Sequence, residues 1–306
     1  MATSCSQGAL SSFYVEPAAS PHTFDTSSER YEFYRESLVK DGSVVDSEGI
    51  RGTRSAAKEN IRSGPYSIGG QVQMPISSGA LDLWLPRILG AAEDVNSFAL
   101  AESLPTFGCL IGYDSNATIE YKDCMVNQAI FHAVAAGPDS EPRLADMTLD
   151  IWGLTSANGT SLPSVAVPTA ANFSPYIFSD ATMTVLGAAR EVKEWWIIIH
   201  NHLHRRWVNS VSATRLCPRS RTVGLRARVP YDSANTDLYD QAIAGASGTF
   251  LVQATATNKT LFTFGNLVAP SEGPVIPGKT ELDLTMQFIA RSSGATKELV
   301  VTNTSS

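Results

Sequence analysis

Charge, cysteine and long apolar runs are all scarce in this 306-residue sequence. Asp, Glu, Lys and Arg make up 17% of it, below the roughly 25% usual for globular chains. The four cysteines, Cys5, Cys109, Cys124 and Cys217, are scattered with no CxxC pair, which points to neither a zinc site nor a disulfide framework but to free thiols in a reducing compartment. No window is apolar for long enough to span a bilayer. The strongest run, Trp195-Trp196-Ile197-Ile198-Ile199, has the length of a strand. The N-terminus lacks a charged region followed by an apolar stretch and reads as Ser-, Ala- and Pro-rich coil as far as Ser28. The expectation is a soluble, unexported chain with no membrane partner. Signatures of catalysis are missing too: there is no GxSxG, no P-loop, no GxGxxG in a βαβ setting and no alternating βαβ pattern. The reading is not an enzyme, with no cofactor.

What is present favours strands. Hydrophobic residues reach 43%, enough for a substantial core, and Ser, Thr, Val, Ala and Gly dominate. The net charge of −7 and pI near 5.3 argue against a protein that grips nucleic acid, which would present a basic face.

The most informative feature is an internal repeat. Gly69–Ala91 (GGQVQMPISSGALDLWLPRILGA) and Gly224–Ala246 (GLRARVPYDSANTDLYDQAIAGA) align without a gap at an offset of 155, with eight identities in 23 positions. Each copy begins with a period-2 strand. Val72 and Met74 alternate with Gln71 and Gln73, and Ala227 and Val229 alternate with Arg226 and Arg228. Pro75 and Pro230 end the strands. A Ser-rich turn follows, in which Ser78 or Ser233 caps a helix, and Gly90 or Gly245 closes it. Pro86 should kink the first helix.

Further strands are expected at Thr118–Val126, Met147–Trp152, Ala181–Leu186, Glu191–His200, Thr249–Thr257, Leu261–Val268 and Glu281–Ile289, with Thr53–Ser63 the first-half counterpart of the strands preceding the second repeat. The fold class is mainly β, with two tandem β-sandwich or barrel modules, each with a flanking short helix. Residues 1–52 form an extended arm, with a helix over Ser28–Lys40, and contact other subunits. Residues 53–160 form the first module, 161–175 a linker rich in Ala, Ser, Pro and Asn, and 176–306 the second module.

Three clusters are candidates for function. His200, His202 and His204 alternate along a strand and share one face. Three imidazoles can hold zinc, but the first and last of five strand residues stand about 13 Å apart, so a polar strand end is the favoured reading. Arg205, Arg206, Arg226 and Arg228 belong to a basic stripe suited to contacts with acidic residues of a neighbouring subunit. Asp146 and Asp150, and Glu281 and Asp283, alternate with apolar residues on strands that are wet on one side and buried on the other.

The strand–Pro–turn–helix unit and its echo, the Tyr121-Lys122-Asp123-Cys124-Met125-Val126-Asn127 segment with its resemblance to a "gCkVn" strand, and Phe178–Met183 leading to Trp196–Asn201 resemble the major tail tube proteins of siphophages over roughly residues 50–300. The resemblance implies a structural virion protein of a long non-contractile tail. Its subunits would form rings whose inner strands join into one β-barrel, and the rings would stack into a DNA conduit. It implies partners: copies of the chain itself, a tape measure protein in the lumen before ejection, tail terminator and distal tail proteins, and viral DNA passing without specific binding. Assembly would take place in the host cytoplasm. Two modules per chain imply a trimeric ring with pseudo-sixfold symmetry, with a hexamer as alternative. Asp146, Asp150, Glu281 and Asp283 would then face the lumen, and the four arginines would lie between subunits. A tail-tip, adhesin or tail-terminator module with the same fold is the alternative function.

Overall fold

The structure, a computed structural model, describes residues 8–16, 22–46, 61–113, 117–135, 144–168, 171–232, 235, 237–238, 245–269, 282–294 and 296–305. Its first half contains β1 (Ser12–Glu16), β2 (Glu29–Tyr31), β3 (Arg35–Glu36), β4 (Val39–Val45), β5 (Arg62–Pro75), α1 (Ser78–Leu89), β6 (Ser97–Ala99), β7 (Phe107–Tyr113), β8 (Ala117–Val134), β9 (Asp146–Gly153) and β10 (Thr155–Asn158). The second contains β11 (Ala181–Val185), β12 (Ala188–Arg190), β13 (Glu194–His200), β14 (His204–Arg206), β15 (Arg215–Cys217), β16 (Thr222–Pro230), β17 (Ala246–Gln253), β18 (Lys259–Val268), β19 (Asp283–Arg291) and β20 (Leu299–Thr304). The fold is mainly β and every ladder is antiparallel.

The repeat extends far beyond the two aligned segments. In the first half β3 and β4 pair with β5, β5 with β9, and β9 with β8; in the second β13 pairs with β16, β16 with β19, and β19 with β18. Registers match as well. Pro75 faces Asp146 and Gly69 faces Trp152, just as Pro230 faces Asp283 and Gly224 faces Ile289. The outer strands follow the same plan, with β1 between β2 and β7, and β11 between β12 and β17. β10 lies on β8 as β20 lies on β18.

This plan corrects the expected first-half counterpart. Arg35, Glu36 and Val39 face Gln73, Val72 and Gly69, while Glu194, Trp195 and Ile198 face the repeat-related Arg228, Ala227 and Gly224. The counterpart of β13 is therefore β3–β4, not Thr53–Ser63, of which residues 53–60 lie outside the described residues. The helix expected over Ser28–Lys40 is replaced by strands, because Tyr31 is buried and Phe33, two residues on, is partly buried against the same core. Ser12–Glu16, expected as coil within an arm, is a strand whose Phe13 and Val15 are fully buried. These residues are part of the first half's own sheet.

α1 rests on the buried faces. Its N-cap is Ser77, not Ser78: the Ser77 hydroxyl accepts the Ala80 N–H at 3.2 Å. Gly90 closes it at φ 92°, donating its N–H to Pro86 O at 2.9 Å. Pro86 is accommodated in the last turn of the helix. The segment expected as the second helix lies mostly outside the described residues, and Gly245 after it has φ 74°.

Trp84 of α1 is fully buried and stacks on Phe13 at 6.4 Å and 1°. The core then runs through Phe131 against Phe262 (5.5 Å) and Trp195 against Phe250 (4.6 Å), so apolar packing continues from one half into the other. Burying each of these large side chains contributes about 1.5–3 kcal/mol. Among the described residues two ladders also cross between halves, β8 with β13 and β6 with β20.

Candidate functional site

One continuous sheet results, in the order β3–β4, β5, β9, β8, β13, β16, β19, β18. Residues directly opposite in a ladder share a face. The buried face carries Val72, Leu149, Ala129, Ile197, Leu225 and Phe288 among others. The other face is polar and forms rows across the strands. One row reads Pro75, Asp146, His132, Trp196, Arg226, Gln287; another reads Gln71, Asp150, Gln128, His200, Thr222.

β8 reaches this sheet by changing partners. Residues 117–124 pair with β7 and β10 and residues 125–134 with β9 and β13, with Asp123 at the bend in a positive-φ conformation (52°). Near the bend, Asn127 donates from Nδ2 to Asp150 Oδ2 at 2.6 Å and accepts the Leu203 N–H at 2.9 Å.

The polar face carries paired charges. His132 Nε2 is 3.1 Å from Glu194 Oε1, and its Nδ1 is 4.0 Å from Asp146 Oδ2. Trp196 stacks on His132 at 5.1 Å, and the Arg226 guanidinium lies 4.6 Å from the Trp196 ring centre. Asp283 accepts from Lys193 Nζ at 2.6 Å and from Arg228 at 2.5 and 2.8 Å. Burial raises the Asp283 carboxyl, but the bonds from Lys193 and Arg228 outweigh it and hold the group below the ordinary carboxylate range. Asp146, Asp150 and Asp283 thus share one face. Glu281 lies outside the described residues.

The basic stripe is engaged within the chain more than its sequence suggests. Arg226 and Arg228 make the contacts just given. Arg205 donates to Ile68 O at 2.8 Å and stacks on Trp152 at 3.8 Å, and burial pushes its guanidinium below its ordinary value. Arg206 is exposed on the β14–β15 hairpin.

The three histidines do not converge. The His200 and His202 rings are 3.7 Å apart, while His204 is in β14 opposite Cys217. Burial, and then His202, push His200 below the usual imidazole range. His202 has φ 44°, which ends the alternation of the strand. Between them Asn201 turns inward, 3% exposed, and donates to Ile88 O at 3.1 Å and Val126 O at 3.0 Å. That tie between α1 and β8 was hidden in the sequence by its histidine neighbours. No group of three or more His, Cys, Asp or Glu side chains positioned for a metal ion occurs among the described residues. Cys109, Cys124 and Cys217 are free thiols.

No helix among the described residues is long and apolar enough to cross a membrane. The sequence model of the phage tail tube protein family matches residues 8–290, nearly the whole chain. No curated protein matches the chain.

Proposed function

The chain belongs to the phage tail tube protein family, structural virion components that assemble with copies of themselves into a tube, and on that premise we propose that it is the major tube subunit of a long non-contractile tail. Three copies close a ring of pseudo-sixfold symmetry, and rings stack into the conduit through which DNA leaves.

The observation that carries this reading is the equivalence of registers across the sheet: β3–β4, β5, β9, β8 repeat as β13, β16, β19, β18. Each chain is thus two four-strand units laid side by side. Three such chains make a barrel of about two dozen strands, wide enough to leave a channel. Closure also removes the open edges of the sheet.

The polar face lines the channel in this reading. Arg35, Arg226, Arg228 and Arg291 share it with Asp41, Asp146, Asp150, Glu194 and Asp283, and Lys193 and Arg205 reach it from flanking segments, so cations and carboxylates nearly balance and the wall offers DNA no basic face to grip. Before ejection the lumen holds a tape measure protein. Terminator and distal tail proteins close the two ends, and assembly takes place in the host cytoplasm. Exposed Arg206 is available for contacts between subunits.

Negative-stain electron microscopy of the purified chain at high concentration tests the proposal. Hollow tubes or stacked rings about 10 nm wide, with threefold symmetry carrying a sixfold pseudo-repeat, are expected. Rings of six chains would overturn the trimer, and failure to form rings or tubes under any condition would overturn the tube.

A further inference from the structure

Asn158 and Gly159 form the only Asn-Gly pair in the sequence. Asn158 is the last residue of β10 and is exposed, like Thr155 and Ala157 before it. Among the described strands β10 pairs with β8 alone. The Asn158 carboxamide makes no hydrogen bond to a described residue, and the residue borders an open groove of about 450 Å³ lined also by Val39, Lys40, Ile119 and Ala157. Gly159 turns the chain at φ 86°, and the side that a Cβ would occupy is open, with nothing within 4 Å.

We propose that Asn158 is a site of spontaneous covalent modification, deamidation through a cyclic imide with water as co-reactant. The Gly159 backbone nitrogen gives up its proton and attacks Cγ of Asn158. A C–N bond forms there, the bond from Cγ to the amide nitrogen breaks, and ammonia leaves with the proton. Water then opens the five-membered imide at one of its two carbonyls. Opening at Cγ leaves an aspartate at position 158. Opening at the backbone carbonyl leaves an isoaspartate, in which the chain runs through the side-chain carbon. No oxidant or reductant takes part, and the proposal stands apart from the tube reading.

The surroundings select this asparagine. A side chain on the following residue crowds the attacking nitrogen, and glycine has none. The carboxamide must also rotate until Cγ meets that nitrogen, which an exposed, unbonded group is free to do. Asn127, Asn201 and Asn303 are buried, and their carboxamides are held by Asp150 and Leu203, by Ile88 and Val126, and by Ser78 and Thr260 respectively. Asn96 and Asn209 are exposed but precede Ser97 and Ser210. One contact opposes the reaction. The Gly159 N–H donates to Thr118 O at 3.2 Å, at the long end of the range and on the last rung of the β10 ladder. Rungs at the ends of elements open at little cost in free energy, so this bond slows the attack without preventing it. The product carries one more negative charge, beside a groove that Lys40 lines. Isoaspartate also lengthens the backbone where Asn158 faces Ile119, which disrupts the end of the ladder.

The purified full chain is incubated at neutral and at mildly alkaline pH. Its peptides are mapped by mass spectrometry, with an isoaspartyl methyltransferase reporting isoaspartate. Asn158 is expected to convert about tenfold faster than any other described asparagine, a barrier lower by ~1.4 kcal/mol. Conversion should be faster at the higher pH, because the attacking nitrogen must lose its proton. Asn158→Gln, whose longer side chain closes a six-membered ring more slowly, is expected to abolish the modification while unfolding at the wild-type midpoint. The same chain in urea gives the rate for an open segment. Conversion in urea with none in the folded chain would overturn the proposal, since the Thr118 bond would then protect the site. Conversion at Asn96 or Asn209 as fast as at Asn158 would overturn it as well.

Discussion

Trp196 lies directly across the ladder from His132, their rings 5.1 Å apart and inclined by 21°, on a pair of inner-sheet strands, β8 and β13, that joins the two halves of the chain. Arg226 covers the indole from the next strand. Trp196→Ala is expected to cost about 2 kcal/mol from the lost ring and cation contacts, read as a lower midpoint in urea. Trp196→Phe should restore more than half of it.

Arg190 and Asp237 form a two-pronged ion pair at 2.8 and 2.7 Å. The Arg190 side chain is 1% exposed and that of Asp237 38%. Asp237→Asn removes a carboxylate from beside a buried guanidinium. Because the carboxylate is partly screened by solvent, the expected loss is about 2 kcal/mol, below the 3–5 typical of fully buried pairs, measurable by chemical denaturation.

Asp237 and Asp283 are both held below the ordinary range. For Asp237 the Arg190 bonds lead; for Asp283 burial opposes the bonds from Lys193 and Arg228, and the bonds prevail. A carboxylate with a depressed folded pKa adds stability that is complete above its unfolded value, about 3.9, and is lost as pH falls through the folded value. Thermal midpoints should therefore drop as pH falls below about 4, and Asp283→Asn should flatten that acid limb while lowering the midpoint at pH 7.

Gly90 closes α1 at φ 92°, and a Cβ there would collide with the Ser103 carbonyl oxygen. Gly90→Ala is expected to destabilise by about 2 kcal/mol or more, from strain in the left-handed region plus the clash. Differential scanning calorimetry would show it as a lower transition temperature with the same cooperativity.

Asp146 sits on the polar face, 4.0 Å from His132. If that face lines the conduit, Asp146→Lys is expected to slow DNA release several-fold by attraction, while the yield and length of tubes stay at wild-type levels. Ejection kinetics of particles carrying the variant check this, and unchanged kinetics would count against a lumenal position.

Sequence periodicity located the strands at Met147–Trp152, Ala181–Leu186 and Leu261–Val268 to within a few residues of β9, β11 and β18, because alternating burial writes itself directly into composition. Gly90 and Gly245 were legible for a different reason: only glycine takes those dihedral angles freely. What escaped was β1 and the pairing of β3–β4 as the partner of β13. Ser12–Glu16 does carry a signal, the apolar run Phe13-Tyr14-Val15, but it stands in a Ser- and Pro-rich stretch. Arg35–Asp41 shares no pattern with the apolar Trp195–Ile199, since the first runs along an open edge and the second lies between two strands. Of the candidate site, the acidic alternation at Asp146 and Asp150 was readable. The internal contacts of Arg205, Arg226 and Arg228 were not, because they depend on which strands become neighbours.

Asn303 of β20 is fully buried and donates to Ser78 O at 2.8 Å and to Asp82 in the first half of α1. The helix is thereby fastened by a residue that a ribosome delivers more than two hundred residues later. Until Leu299–Thr304 has emerged, neither β6 nor β18 has this neighbour, and a nascent chain exposes open strand edges while translation proceeds at about 5–20 residues per second. Synthesis itself thus acts as a timer, withholding the finished sheet until Leu299–Thr304 has been made.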